Sequence, residues 1–567
     1  MDFIKKTWPY LVGLILSFSL LWPLFYAPLF SHHDDIETIR VYEMDRCFKD
    51  HQIPCRWVPD LGGGYGYPIY NYYAPLPYYF GEFIYLLTGN LIFSTKLMFA
   101  VSFLGAYIFM YAFAKKFWGP LGGSLAAIFY SFAPYHALDF YVRGAMGEMW
   151  ALMAFPALFW IFTRLCEKTN ILNMVLAAIF TFILITSHNL STLIFMPMLL
   201  LWILFLFLKQ RKIQYLWSCA GGLILGVLLS AFYLLPAIVE KDMAHVETTT
   251  VGYFYYTEHF KGFKKLLDRS WGYGASVREV PGGEKDGLSF QIGWIHLLAW
   301  LGALILALKL KAKNKYVFSI VAFFSLVGLF AIFMVNPRSQ FIWDLIPPLK
   351  YLQFPWRFLL LIIFCLSFLS GSIFVFLKSK KEIVWIALTV SVVVFNFSYF
   401  KPEKFIDSTD KQILSGENWR RQIMRSIFDF LPTSAKEPPA DPAPNRYQIL
   451  TGDSDVYDFK QGTNWFNFKT ETRSHTIIRI SQYYFPDWKI LVDGLETKFE
   501  YKNNSLGLMS IILGKGSHTV EARLYDTPIR SISNVITLGA AFITLLLFII
   551  QFSNVKKWIG YYRKRIN

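Results

Sequence analysis

Long apolar runs separated by short basic clusters set the pattern of this chain. The first run, Trp8 to Phe30, follows Lys5 and Lys6. It is longer than the core of a signal peptide and lacks a small-residue cleavage site, so it is predicted as an uncleaved anchor. Further spans are predicted over 95–114, 119–133, 147–165, 171–188, 190–208, 215–238, 289–309, 315–335, 356–377, 382–400 and 532–553. Repeated runs near the length needed to cross a bilayer predict a polytopic α-helical membrane protein of about 12 transmembrane helices.

The segment 76–92 is also apolar but holds Glu82 and follows a proline-rich stretch. Charge decides its place. With twelve spans and a cytoplasmic N-terminus, the inner segments carry 21 Lys or Arg against 3 acidic residues, and the rest of the chain is nearly balanced. A thirteenth span at 76–92 would invert everything after it and break the positive-inside rule, so an interfacial helix is expected there. The same distribution accounts for the net charge of +16 and a pI near 9.3. The positive charge flanks membrane spans and suits anionic lipid, which argues against nucleic acid as a partner.

The predicted outer segments are 31–94, 134–146, 240–288 and 401–531. Residues 1–400 are read as a transmembrane domain with large outer loops, 401–531 as an extracytoplasmic domain, and 532–567 as a last span with a basic cytoplasmic tail. Alternation in HTIIRISQYYF and KILVDGLETKFEY, with Asp493-Gly494 as a hairpin turn, predicts a β-sandwich-like fold for the outer domain. GLMSIILGKGSHTVEARLY reads as two more strands around a glycine turn, and EPPADPAP (437–444) as an extended spacer. The chain is 55% hydrophobic and only 17% charged, which excludes an ordinary soluble domain.

Chemistry, if any, should lie at the outer ends of the spans. Asp34 and Asp35 follow the first run directly, beside His32 and His33. Either carboxylate could serve as a general base for an acceptor hydroxyl, tuned by its neighbour, and His33 with Asp35 could hold a divalent cation such as Mg or Mn. Glu148 enters an apolar run, where a carboxylate usually faces a cavity or a partner, and Arg143 is close in sequence. Arg143, Arg357, His188 and Lys350 are candidate ligands for a lipid-linked phosphate, which guanidinium groups can clamp through paired hydrogen bonds. Trp57, Tyr65, Tyr67 and Trp356 offer aromatic faces for sugar rings. Bland alternatives stand beside each: solvated aspartates after an anchor, a histidine satisfying a tight turn, and Trp356 with Arg357 as interface anchors. GGGYG (62–66) has no strand–helix context and is not a dinucleotide fingerprint. Cys47 and Cys55, both in the first outer loop, are a candidate disulfide pair in an oxidising compartment, and the sequence leaves open whether they are bridged.

Several stretches then resemble known proteins. They are IPCRWVPDLGGGYGYPIYNYYAPLPYY, HFKGFKKLLDRSWGYG with DGLSFQIG, LQFPWRF, and YYFPDWKILVDG with the following GSHTVEARLYDTPIR. Together they resemble the YfhO-like membrane proteins, also labelled 6-pyruvoyl-tetrahydropterin synthase-related, within the GT-C superfamily of glycosyltransferases. The resemblance implies transfer of a sugar, with inversion, from a polyprenyl-phosphate donor to a glycan, lipid or protein acceptor. The site would face outward from a bacterial cytoplasmic membrane. The superfamily's first-loop acidic residue maps onto Asp34 or Asp35, and a second acidic position onto Glu148. No Trp-Trp pair occurs, which disfavours en bloc protein glycosylation. A flippase or transporter of lipid-linked sugars and a non-catalytic glycan-binding assembly protein are the rival readings.

Overall fold

The first apolar run does not form one continuous helix. In the computed structural model, helix Asp2–Ser19 stops short and a short helix, Trp22–Tyr26, follows it. Pro23 explains the break: it offers no N–H and disfavours helical backbone in the residue before it. The structure describes residues 2–278, 280, 283, 285–309, 314–425 and 428–566, with side chains from residue 7 to residue 551. The side chains of Asp2, Lys5, Lys6, Lys311, Lys313, Lys556, Lys557, Arg563, Lys564 and Arg565, all used in the charge count, lie outside that description.

The predicted spans 95–114 and 119–133 form one helical hairpin, Leu91–Ser131, that turns back on itself at Gly119 (φ 74°). Tyr107 Oη donates to the carbonyl of Tyr10 while Ser124 Oγ donates to that of Pro9, so both arms flank the first helix. Helices Met146–Glu167, Ile171–Ser187, Asn189–Gln210, Trp294–Lys309, Lys315–Val335 and Lys381–Asn396 fall on other predicted spans. The run at 215–238 is bent by 71° between Ile213–Leu229 and Ala231–Val239. Ser230 sits in the bend and its Oγ donates back to the carbonyl of Gly226, a bond that competes with the helical ladder. Among the described residues seven helices are long and apolar enough to cross a membrane, or eight if the bent pair counts as one. The chain is a polytopic helical membrane protein with a C-terminal β-sheet region.

Helix Leu76–Thr88 occupies the place predicted for an interfacial helix and ends at Gly89 in the left-handed region (φ 63°). It packs on helix Glu37–Lys49 and on the hairpin. The segment 134–146, expected as an outer loop, is buried throughout. It forms a short helix, Pro134–Ala137, and a π-helical turn, Leu138–Arg143, of the wider kind that redirects side chains near functional positions.

The ten strands are β1 Leu29–Phe30, β2 Phe405–Ile406, β3 Tyr447–Thr451, β4 Ser454–Gln461, β5 Trp465–Thr472, β6 Thr476–Tyr483, β7 Trp488–Val492, β8 Leu495–Glu496, β9 Leu508–Leu513 and β10 Gly516–Leu524. A five-stranded sheet runs β4-β5-β10-β7-β8 and a three-stranded sheet runs β3-β6-β9. The expected sandwich therefore begins at Tyr447, while residues 401–446 are mostly helix and extended chain laid along the membrane domain. The turn at Asp493 (φ 53°) and Gly494 (φ 80°) joins β7 to β8 as its sequence predicts. By contrast, β9 and β10 flank their glycine turn without pairing: β9 joins β6, and β10 lies between β5 and β7. Alternation along each strand is the same in either arrangement, so pairing partners were not legible.

Candidate functional site at the convergent end of the helices

Ser31 and His32 follow β1 without regular structure, His33 to Ile36 turn into the next helix, and three backbone bonds hold the stretch. Ser31 N donates to the carbonyl of Lys404, His33 N to that of Val142, and Asp34 N to that of Arg143, each at 2.9 Å. The first loop is thus sewn to the 134–146 turn and to the segment that follows the membrane domain. Helix Glu37–Lys49 begins with Ile36 in the capping position and no side-chain cap. Neither aspartate caps it.

The two aspartates have different surroundings. Asp35 is ion-paired with Arg425 and lies 3.7 Å from Arg421, both on or just after helix Gly416–Met424, and its carbonyl accepts from Gln422 Nε2 at 2.8 Å. Asp34 is exposed, and among the described residues its carboxylate has no hydrogen-bond or ion-pair partner. Of the doublet, Asp34 keeps a carboxylate free to take a proton, and the clamped Asp35 is corrected to a docking residue. His33 Nε2 meets the carbonyl of Tyr273 at 2.9 Å. Among the described residues no three His, Cys, Asp or Glu side chains gather as a cation site, so the expected His33–Asp35 pair has no third such ligand beside it.

His32 packs its ring over Gly144, where a Cβ would fall 2.1 Å from Nδ1, and burial pushes its pKa down to about 4. Asp34 pulls that value up, while Arg425 and His33 oppose it. A further cluster lies behind. Arg40 donates to Glu37 Oε1 at 3.1 Å, Tyr78 Oη donates to Glu37 Oε2 at 2.6 Å, and Arg40 stacks over Tyr73 at 4.2 Å. Burial lifts the Glu37 pKa to about 7 against the pull of Arg40. Sequence reasoning missed this group, although the Glu37–Arg40 spacing of three within a helix is an ion-pair signal.

Glu148 is not a base in reserve. Arg143 grips it through both terminal nitrogens at 2.8 Å, and Arg357 Nε donates to it at 3.0 Å. Tyr135 Oη donates to the same carboxylate at 3.2 Å, and Asp139 completes the group by pairing with Arg143. With both oxygens taken up by two buried guanidinium groups and Tyr135, Glu148 is placed as the shared ion-pair partner of Arg143 and Arg357 and not as a base facing open space. Its partners are equally committed: Arg143 is neutralised by two acids, and Arg357 also donates to the carbonyl of Leu352 at 2.7 Å. Their expected role as phosphate ligands is corrected to charge pairing. Asp139 was missed, although it stands four residues before Arg143 in the same turn. His188 caps helix Asn189–Gln210, with Nδ1 accepting from Ser191 N at 3.2 Å, the turn-satisfying alternative. Lys350 is half-buried at this end and, alone among the four predicted phosphate ligands, has no side-chain partner among the described residues.

The predicted aromatic groove is a packing surface. Trp57 is fully buried against Phe485 (5.6 Å) and Trp488 (6.2 Å), and Tyr67 is buried against Phe430. The Tyr65 ring lies tilted against Tyr483 at 5.4 Å, and its carbonyl accepts from Tyr483 N and Gln482 Nε2, both at 2.9 Å. Trp356 is buried between Phe354 and Arg143 and donates to Ser276 Oγ at 3.2 Å. None of the four presents a face to a sugar. Trp57 and Tyr65 fasten the β-sandwich onto the first loop while Tyr67 packs on the segment that precedes the sandwich, and the glycines of GGGYG make that contact possible. At Gly66 (φ 89°) a Cβ would lie 2.2 Å from Gln482 Nε2 and 2.5 Å from the Trp57 ring. Ala443 N, from the proline-rich spacer, donates to the carbonyl of Gly63 at 2.8 Å. Cys47 and Cys55, the candidate pair of the first loop, are joined by a disulfide, with Cα atoms 5.5 Å apart.

A cleft opens beside Asp35, enclosing about 710 Å³ with its open mouth included. It lies between the break in the first span, the start of the 91–131 hairpin and residues 406–422.

Comparison with known proteins agrees with this architecture. Residues 70–401, more than half the chain, match the family model of the 6-pyruvoyl-tetrahydropterin synthase related domain, a membrane protein family. The chain belongs to that family, as its motifs predict. It is also 25% identical over 240 residues to an uncharacterized protein of Lactococcus lactis subsp. cremoris. That match covers 40% of this chain and 39% of the relative, so the chain spans about two-fifths of the length of the curated relative it matches.

Proposed function

We propose that this member of the family is a glycosyltransferase of the GT-C type, with twelve spans and both termini in the bacterial cytoplasm. It would take a sugar from a polyprenyl-phosphate donor at the outer face of the membrane. Asp34 acts as general base: it removes the proton of an acceptor hydroxyl as the oxygen attacks the anomeric carbon. The bond from that carbon to the phosphate breaks, polyprenyl phosphate leaves with the electron pair, and configuration inverts. The observation that carries the reading is the free, exposed carboxylate of Asp34, anchored through its own backbone N–H to Arg143. Fixed backbone and unpaired side chain together are what a positioned base requires.

Lys350 is the predicted cation left available to donor phosphate, and the Arg143–Glu148–Arg357 group holds the surrounding segments in register. The requirement for Mg or Mn is open to the same assay. The neutralised cluster and the buried aromatics favour one rival, a non-catalytic envelope assembly protein in which the β-sandwich does the binding. Donor turnover by the wild-type protein separates the two: a transferase shows it and loses it in Asp34→Asn, whereas an assembly protein shows none in either.

A further inference from the structure

The cleft beside Asp35 carries more positive charge than its own acids cancel. Two cations, Lys96 and Arg421, and two acids, Asp35 and Glu37, line it. Each acid is already paired with a basic residue that does not line it, Asp35 with Arg425 and Glu37 with Arg40. Lys96 donates to the uncharged carbonyls of Leu24 and Ala27, both at 2.7 Å, and has no carboxylate partner among the described residues. Its charge is therefore unmatched, and one of its three N–H groups is unspent. Arg421 stands 3.7 Å from Asp35, a second guanidinium on a carboxylate that Arg425 already holds. That is too far for a hydrogen bond, and among the described residues the Arg421 fork makes none. Asp34 is exposed and lies outside the lining. An anion with several oxygens meets two unmatched cations here, and a guanidinium fork fits phosphate.

Uncharged polar groups in the wall narrow the ligand further. Ser408 is buried, and its Oγ has no partner among the described residues. Gln422 is 6% exposed, and its Nε2 is spent on the carbonyl of Asp35. Its Oε1 is buried and, among the described residues, has no donor. A buried acceptor without a donor is uncommon in a folded chain and points to a hydrogen supplied from outside it. A phosphodiester has no hydrogen to give, so the ligand that satisfies Gln422 also carries a hydroxyl.

One side of the cleft adjoins lipid. Trp22, Tyr26 and Phe405 form an aromatic cluster with ring centroids 4.7–6.0 Å apart, and Tyr26 is 71% exposed. Exposed Trp and Tyr at the end of a span mark the depth of the headgroups. Leu24 and Leu29, which line the cleft, lie within a few residues of that belt on the same short stretch of chain.

From this balance we infer that the cleft binds the anionic phosphodiester of a membrane lipid whose headgroup carries hydroxyl groups. The phosphate oxygens accept from Lys96, Arg421 and Ser408, a headgroup hydroxyl donates to Gln422, and the first methylenes lie on Leu29 and Phe99. Phosphatidylglycerol and a polyprenyl-phosphate sugar share this chemistry. The binding stands on the cleft and not on the transferase reading.

The test uses the full-length protein in an uncharged polyoxyethylene detergent, with native mass spectrometry to count bound lipid. The probes are phosphatidylglycerol, a polyprenyl-phosphate hexose, phosphatidylethanol, phosphatidylethanolamine and monoglucosyl diacylglycerol, with inorganic phosphate as competitor. One of the first two should be retained in preference to the last three. Its retention should fall by about tenfold or more in Arg421→Gln and in Lys96→Gln, the loss expected for one charge-assisted hydrogen bond. Arg421→Gln leaves Arg425 on Asp35, so it carries the test if Lys96→Gln lowers the melting temperature. Retention undiminished in Arg421→Gln, or preference for phosphatidylethanolamine or the uncharged glycolipid, would overturn the inference. So would phosphatidylethanol retained as well as phosphatidylglycerol, since it lacks the hydroxyl, or displacement by equimolar inorganic phosphate. Preference for phosphatidylglycerol marks a phospholipid site, and preference for the polyprenyl-phosphate hexose marks the donor itself. Lipid retained without any sugar transfer leaves the site standing and removes only the transferase reading. Transfer without lipid retention does the reverse.

Discussion

Asp34 and Arg143 are joined backbone to backbone: the Asp34 N–H donates to the Arg143 carbonyl at 2.9 Å. Through that bond the first loop is held to a buried turn whose guanidinium is already neutralised by Asp139 and Glu148. The contact fixes where the Asp34 carboxylate stands without drawing its charge into an ion pair. Arg143 therefore acts on the site through its main chain, and its side chain serves the fold.

Removing the charge of Glu148 tests that division. Glu148→Gln should leave Arg143 and Arg357 buried without their shared counter-ion and destabilise the protein by about 3–5 kcal/mol, as for a broken buried ion pair. Arg357→Lys should also lose stability, because an ammonium cannot bond both Glu148 and the Leu352 carbonyl in the same fork geometry. Denaturing-detergent titrations of wild type and both variants read the change. A Glu148→Gln variant as stable as wild type would contradict the assignment.

The GGGYG loop offers a second test. Gly66→Ala would place a methyl group on Gln482 and Trp57 at a backbone angle (φ 89°) that L-residues avoid. The cost should be about 2 kcal/mol or more, in strain and displaced packing. The expected readout is faster proteolysis within 437–446, the spacer held by Gly63, with the membrane helices still protected. Unchanged cleavage would mean that the loop does not carry the sandwich.

Acid should act on the first loop in two opposing ways. His32 has its folded-state pKa lowered to about 4 by burial, so its contribution is present above pH 6.5 and lost as pH falls from 6.5 toward 4. Glu37 has its folded-state pKa raised to about 7, so it contributes fully below pH 4.5 and loses that contribution as pH rises toward 7. His32→Gln removes one half of the balance, and its stability relative to wild type should rise on acidification, by at most about 1.4 kcal/mol per pH unit. Asp34, Arg425 and His33 face the ring and are retained in the variant. Parallel pH profiles for the two proteins would contradict the burial of His32.

The periodicity of the chain made the helices legible, because a span long enough for a bilayer leaves a run that nothing in a soluble domain imitates. The alternation of β3–β10 made the sandwich legible but not its pairing. Proline at 23 and serine at 230 broke two predicted spans, and both breaks have local causes visible in the sequence once weighed. The site was harder. Arg143, Glu148 and Arg357 are correctly placed together by their positions at span ends, yet their mutual neutralisation follows from geometry that no spacing encodes. Trp57, Tyr65 and Tyr67 show the same limit: an aromatic run reads identically whether it faces a ligand or, as here, another domain. The inequality of Asp34 and Asp35 depends on Arg421 and Arg425, almost four hundred residues away in the chain.

That inequality is also where the proposed activity is most exposed to test. Purified protein in lipid bilayers would be given radiolabelled polyprenyl-phosphate sugars, and loss of donor followed for wild type, Asp34→Asn and Asp35→Asn. Wild type should consume one of the donors. Asp34→Asn should lose about 10²–10⁴-fold in rate while keeping wild-type stability, as expected for removal of a general base. Asp35→Asn should retain measurable turnover and instead loosen helix Gly416–Met424. Turnover by Asp34→Asn at the wild-type rate would contradict the account.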